Sequence, residues 1–377
     1  MCGTIVFRLA TQPVASRTPS GAGWRSNRGG LPVPSGPFSL ERRAFLVALG
    51  LVPAAATLIG CHDETPKPLH GPDLGGVDPT VRPQDDLYRH VNGTWLHNFQ
   101  LPPDKSSFGS FDEASDRTEE QLRSIIDGIS HPTAGSEAQQ IRDLYDARMN
   151  LDDIEKLGIT PLQGMFADID KAPDKPALAK VMGTLPTSGL FSLGVSVDRK
   201  NSTAYIASIE QAGLGLGQQY YQKPEFAQIV DGYRSFLERV AQAAGLPDPA
   251  GMARREIDLE TMIASVSWDD VRNRDTQATY NRRHWADVVA AAPQFDWDSW
   301  LAGTTDRPKE LFNDLVVGQP SFVTEAGKIW ADTDIAQWRD FLKLALLRDF
   351  ARYLPKAFAD ANFDFNGRLM AGLQQRP

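Results

Sequence analysis

The chain has 377 residues, which is enough for two or three ordinary domains or for one large helical body. Its net charge is −9. Residues 1–60 hold six Arg against one Glu, which leaves 33 basic and 47 acidic residues in the remainder. Because phosphate is bound by Lys and Arg, so acidic a remainder argues against nucleic acid as a partner. The two cysteines, Cys2 and Cys61, have no Cys or His at zinc-finger spacing. Removal of a leader would leave one cysteine and no intramolecular disulfide, so the body is expected to be stabilised by packing.

Residues 1–60 are predicted to be a disordered leader that ends in an export signal. Arg42 and Arg43 precede a short apolar stretch, 44–59, and together they resemble a twin-arginine signal. That stretch is shorter than the roughly 20 residues that span a bilayer. The four residues that end in Cys61 resemble a bacterial lipobox. A buried amphipathic helix of a cytoplasmic domain is the alternative, and the arginines, the apolar length and the cysteine all disfavour it. We expect an exported lipoprotein of the bacterial cell envelope, anchored to the cell membrane through Cys61.

Residues 61–84 are predicted to be a flexible tether between this anchor and a folded body, because proline and glycine interrupt every regular element there. The interrupting residues are Pro66, Pro68, Gly71, Pro72, Gly75, Gly76, Pro79 and Pro83.

The body, residues 85–377, is predicted to be mainly α-helical. Apolar residues recur at steps of three and four in several windows, as on one face of a helix. Ser136 and Gln139 form a capping-box start, and Gly245 ends a helix with Pro247 just beyond it. The windows are Phe111, Ala114, Thr118, Leu122, Ile125 and Ile129; Ile141, Leu144 and Tyr145; Phe226, Ile229, Tyr233, Leu237 and Val240; and Ile335, Trp338, Leu342, Ala345, Leu346 and Tyr353.

One region of the body departs from this helical pattern. Residues 190–197 and 204–209 are strand-like runs on either side of a turn-rich segment, 198–202. They predict one small β-hairpin in an otherwise helical body.

No arrangement of residues in the sequence indicates catalysis or metal binding. In H-E-x-x-H, two His share one helix face and the Glu polarises a metal-bound water, but no such motif occurs here. His90 and His97 are seven apart with no acid between them, so surface or structural roles are expected. The six histidines are His62, His70, His90, His97, His131 and His284.

A glycine-rich run and two acidic pairs resemble functional motifs only weakly. The run 213–217 lacks the third glycine of a dinucleotide loop, since Gln218 stands there, and it predicts a tight turn after the hairpin. The pairs at 85–86 and 269–270 point in different directions on a helix, so solvated helix starts are expected.

Five further segments stand in order along residues 85–377. They are Asp85-Asp86-Leu87-Tyr88-Arg89-His90-Val91-Asn92-Gly93-Thr94-Trp95-Leu96; Pro102 with Ser107-Phe108-Gly109-Ser110-Phe111 and Glu119-Glu120-Gln121-Leu122; Gly213-Leu214-Gly215-Leu216 with Tyr220-Tyr221; Trp268 with Asn273-Arg274-Asp275 and Tyr280-Asn281; and Ala357-Phe358 with Ala361-Asn362-Phe363-Asp364-Phe365. Together, and in this order, they resemble the neprilysin, endothelin-converting-enzyme and PepO-like family of zinc metallopeptidases.

The resemblance implies the large multi-helix lobe of a gluzincin metallopeptidase, which covers a peptide-binding cavity. In the full-length family the other lobe carries H-E-x-x-H and binds zinc. This chain is expected to be the N-terminal, non-catalytic half, truncated before those residues and inactive alone, with no cofactor of its own. Some members carry an arginine for a substrate carboxylate just before the aromatic-glycine pair. Ser107 holds that position here, so Ser107 and Phe108 remain substrate-facing candidates only.

Three functions follow from these expectations. The first is a truncated zinc metalloendopeptidase, and the second is a stand-alone envelope lipoprotein that binds peptides or partners. The third is one chain of a split peptidase, completed by a separate catalytic chain.

Overall fold

The computed structural model describes residues 74–307 and 309–376, in two compact units that meet in sequence after Phe99. Arg42, Arg43 and Cys61, with the rest of the predicted leader and the tether up to residue 73, lie outside the described residues.

The described part of the first unit is helix α1 (Leu87–Asn98) and the segment before it, which begins with a 3-10 turn at Leu74–Gly76. The backbone N–H of Asp78 donates to the carbonyl of His90 (2.7 Å), and the His90 ring meets the carbonyl of Val81 (2.7 Å). Residues 74–84 are therefore held against α1, and the predicted tether is wrong over this part. Prolines interrupt regular structure, but they leave the backbone free to turn back onto a helix.

The second unit is mainly helical, as the sequence predicts, and its helices follow one another through short connections. Ser136 caps α3 and the last helical turn of α8 is followed by Gly245 at φ +70°, so both predicted boundaries are confirmed. The helices are α2 (Ser110–Asp127), α3 (Glu137–Met149), α4 (Leu151–Leu157), α5 (Thr160–Lys171), α6 (Lys175–Thr184), α7 (Gln218–Gln222), α8 (Ala227–Ala243), α9 (Pro249–Val266), α10 (Asp270–Asn273), α11 (Trp285–Ala291), α12 (Trp297–Thr304), α13 (Pro320–Asp332), α14 (Ile335–Phe350), α15 (Lys356–Asn362) and a π-helix (Phe363–Met370).

A four-stranded sheet interrupts the helices, in the order β1-β2-β4-β3. Strands β1 (Phe191–Asp198) and β2 (Asn201–Gln211) form the predicted antiparallel hairpin. Strand β4 (Asp314–Val317) pairs parallel with β2, and β3 (Asn281–His284) pairs antiparallel with β4. The sequence did not predict β3 and β4, because each has four residues and their partners are distant in the chain.

The core of the second unit combines one face of the sheet with buried residues of α5, α6, α8, α9 and α11–α15. Helices α8, α9 and α14 pack on one another, and α6 lies so close to α12 that a side chain on Gly303 would collide with the backbone of Lys180. A cluster of aromatic rings fills the space beneath the sheet, with the Phe191 ring 4.6 Å from that of Trp297. Its members are Phe191, Phe295, Trp297, Trp300, Phe322 and Trp330.

Helices α2–α4, here called the N-terminal helices, contrast with this core. Helices α2 and α3 form where periodicity predicts helices, yet none of the three helices contains a buried residue. The Phe111 side chain is 92% exposed. The apolar residues exposed on these helices are Phe111, Leu122, Ile125, Ile141, Leu144, Met149, Leu151 and Leu157.

Candidate functional site

The outer face of the sheet carries a half-open cavity of about 510 Å³, here called the sheet pocket. Side chains alternate along β2, so Ile206, Ser208 and Glu210 face the pocket while Ala207 and Ile209 enter the core. On the hairpin's other strand Ser196 pairs with Ile206 and also lines the pocket. The floor of the pocket is therefore lined by small hydroxyl side chains, an apolar side chain and one carboxylate.

One wall of the pocket is the segment 268–280, which is hydrogen-bonded to the sheet through side-chain amides. Gln319 accepts from the backbone N–H of Gln211 (2.9 Å) and donates to Asn273 (3.0 Å). The Gln211 side chain in turn joins both backbone groups of Trp268, at 2.8 and 2.9 Å. This network fixes one side of the pocket.

The hairpin turn closes the pocket from the other side. The Tyr280 hydroxyl donates to Asp198 (2.8 Å), and the Arg199 guanidinium donates to the hydroxyl and the carbonyl of Thr279, at 3.2 and 2.9 Å. The backbone N–H of Lys200 and the Tyr280 hydroxyl lower the pKa of Asp198, and the same carboxylate raises the pKa of Tyr280. The turn is thus held to the loop by charged and polar contacts.

A second polar cluster is buried in the helical core. Glu260 of α9 accepts from the backbone N–H of Gly215 (2.7 Å) and the Tyr221 hydroxyl (2.8 Å), and it pairs with Arg348 (3.2 Å). Tyr233 completes the set, since its hydroxyl lies 3.3 Å from the same carboxylate. Ion pairs this deeply buried need such hydrogen bonds to offset desolvation.

Glu256, one helical turn before Glu260, is also fully buried, and neither of its carboxylate oxygens has a hydrogen-bond partner among the described residues. Burial raises the pKa of both carboxyls, and the charge of Glu260 raises that of Glu256 further. The pKa of Glu260 is lowered by the charge of Arg348 and by the hydrogen bonds that Glu260 accepts. Glu256 is therefore the carboxyl that takes up a proton first.

The cluster around Glu260 explains why the run 213–217 contains glycines. Gly213 has φ +89°, which makes the predicted turn after the hairpin. A side chain on Gly215 would collide with the Tyr233 hydroxyl, whereas the glycine lets its N–H reach Glu260. The glycines therefore permit a tight turn and let a backbone N–H donate to the buried carboxylate of Glu260.

The remaining sequence candidates neither line the sheet pocket nor bond to Glu260. Ser107 is exposed and Phe108 is half-buried, on the segment before α2, and neither lines the sheet pocket. Asp86 and Asp269 cap α1 and α10, so both acidic pairs are helix starts, as predicted.

The described residues contain neither a group of metal ligands nor a membrane-spanning helix. Within 74–307 and 309–376, no three His, Cys, Asp or Glu side chains are grouped so that they could hold a metal ion. Over the same residues, no helix combines the length and the apolarity needed to cross a bilayer.

The fold, a multi-helix lobe with a small sheet, matches the N-terminal lobe of zinc metallopeptidases. Residues 83–377 match the model of the N-terminal domain of peptidase family M13. The chain belongs to this family, which confirms the resemblance and the predicted fold class. The sequence signal for the sheet pocket was already in the fourth resembling segment, since Asn273 and Tyr280 line its wall.

Several relatives are similar over the same region. The Mycobacterium tuberculosis zinc metalloprotease Zmp1 with a bound inhibitor is 34% identical at a TM-score of 0.77, over 81% of this chain and 48% of its own. PepO from Lactobacillus rhamnosis shares the fold at 17% identity, with a TM-score of 0.66 over 78% of this chain and 48% of its own. Mouse endothelin-converting enzyme 1 is 24% identical over 85% of this chain and 44% of its own length. The chain thus spans less than half of each relative.

Proposed function

We propose that this chain is the N-terminal, substrate-enclosing half of an exported zinc metalloendopeptidase that acts on peptides. Membership of family M13 and the 34% identity to a zinc metalloprotease support this proposal. The full sequence holds no H-E-x-x-H motif, so hydrolysis requires a zinc-bearing half from outside these 377 residues.

The observation that carries the proposal is the uncovered apolar surface of the N-terminal helices. Phe111, Leu122 and Ile125 recur along one face of α2, while Ile141 and Leu144 are exposed on α3. Exposed apolar residues that share a helix face, unlike single scattered ones, favour binding to another protein surface. We propose that the zinc-bearing half covers it, in the same polypeptide or in a separate chain.

The test is to co-express this chain with a polypeptide that carries the H-E-x-x-H half of Zmp1 and to measure co-purification, zinc content and peptide hydrolysis. We expect a complex with one zinc and chelator-sensitive hydrolysis, and neither from this chain alone. Leu122→Glu with Ile125→Glu should abolish the complex, whereas Arg123→Glu, on the same helix, should not. One zinc and hydrolysis by this chain alone would refute the proposal.

We further propose that the chain is a lipoprotein of the cell envelope, attached to the membrane through Cys61 after export directed by Arg42 and Arg43. The sequence pattern is the support, and two acyl chains give stable anchoring where one is marginal. Cys61→Ala should abolish palmitate labelling and release the protein from membranes. An unlabelled wild-type protein that fractionates away from membranes would contradict this proposal.

A further inference from the structure

The sheet pocket carries opposite charges at its two ends. Arg199 follows β1 at the hairpin turn, whereas Glu210 lies near the other end of β2, and both line the pocket. No ion pair within 4 Å among the described residues involves Arg199 or Glu210. Both charges are therefore available to a ligand.

Arg199 is held in a fixed orientation for such a contact. Two of its N–H groups donate to Thr279, a buried residue, and the guanidinium lies 5.6 Å from the centre of the Tyr280 ring. A guanidinium has five N–H donors, so three remain for a bound carboxylate. Because the side chain is already ordered, little rotamer entropy is lost when a ligand binds.

The space between the two charges suits an extended chain. The outer-face residues from Ile206 to Glu210 span four residue steps, about 13 Å at the usual strand rise. Ile206 and Val316 offer apolar contact, and the hydroxyls of Ser196 and Ser208 can bond to peptide groups. A volume of about 510 Å³ lies in the range of small-ligand sites.

We propose that the sheet pocket is a binding site for a short peptide of about four residues, with its terminal carboxylate on Arg199 and its amino group on Glu210. This proposal rests on the proposed function for its choice of peptides as the ligand class. The site belongs entirely to this chain, so it binds without the zinc-bearing half.

The test is calorimetric titration of the full chain with Ala-Val-Ala-Ala, compared with its C-amidated and N-acetylated forms. A charged hydrogen bond at each end predicts that each blocked form binds roughly tenfold or more weakly. Arg199→Gln should remove the discrimination against the amide, and Glu210→Gln the discrimination against the acetylated form. Arg199→Lys should keep part of the first effect, which separates charge from loss of the turn contacts.

Arg274→Gln is the matched control, since this exposed arginine lies in the segment 268–280 that forms one wall and does not itself line the pocket. It should bind all three peptides like the wild type. Absence of saturable binding up to about 1 mM would overturn the proposal, as would equal binding of blocked and free forms or an Arg199→Gln variant that behaves like wild type. Such a result would leave the pairing with a zinc-bearing half intact, because that pairing is measured through the N-terminal helices.

Discussion

The N-terminal helices and the core helices arise from the same sequence pattern but reach different states. Helix α2 carries apolar residues at steps of three and four, as α8 does, yet α8 buries Tyr233, Phe236 and Val240 while Phe111 of α2 is exposed. Periodicity identifies the apolar face of a helix but does not identify what covers it. The uncovered face of α2 is the surface that the proposed function assigns to the zinc-bearing half.

The largest expected effect is the difference between two phenylalanine substitutions. Phe322→Ala, inside the aromatic cluster, should lower the free energy of unfolding by about 3–5 kcal/mol, because it leaves a cavity. Phe111→Ala should change it by less than about 0.5 kcal/mol, since the ring is already in water. Urea denaturation followed by circular dichroism measures both. Similar losses for the two variants would show that the N-terminal helices are part of the core.

The buried ion pair should give a comparable or slightly smaller effect. Arg348→Met leaves Glu260 buried without its cation, and losses of this kind cost about 3 kcal/mol or more. Lys328→Met is the control, because its pair with Glu325 is half-exposed and should contribute less than about 1 kcal/mol. Equal effects of the two substitutions in urea denaturation would argue against a charged cluster in the core.

Glu256 should make the stability of the core depend on pH. Its pKa is raised above the ordinary 4.5, so the folded protein holds a proton that the unfolded chain releases. The stabilisation from that proton is full below pH 4.5 and is lost as pH rises from there toward the folded pKa, with a limiting slope of about 1.4 kcal/mol per pH unit.

Glu256→Gln should remove this loss, so that the variant gains stability relative to wild type as pH rises from 4.5 to 7. Thermal unfolding across that range measures the effect, with the exposed Glu238→Gln as the matched substitution on α8. Parallel profiles of wild type and Glu256→Gln would contradict a proton held at this site.

The sequence predicted those parts of the fold that depend on local signals. Gly245 marked the end of α8, Ser136 the start of α3, and the turn residues after Val197 the hairpin. Strands β3 and β4 were not predicted, because a strand of four residues is too short to show a clear alternation of apolar and polar residues. Their pairing also joins distant parts of the chain.

The candidate sites were less predictable for the same reason. Glu260 and Arg348 are 88 residues apart, and Arg199 and Thr279 are 80 apart, so only the fold brings them together. The resembling segment around Asn273 and Tyr280 marked the pocket wall, but its residue types alone are compatible with plain packing.

Hydrogen exchange of the chain on its own tests the central claim most directly. If the N-terminal helices await a partner surface, the amides of α2–α4 should exchange faster than those of α8, α9 and α14 by a factor on the order of 100 or more, because few buried contacts oppose their opening. Addition of the zinc-bearing half should slow α2–α4 and leave α14 unchanged. Protection of α2–α4 equal to that of α14 in the chain alone would contradict the account.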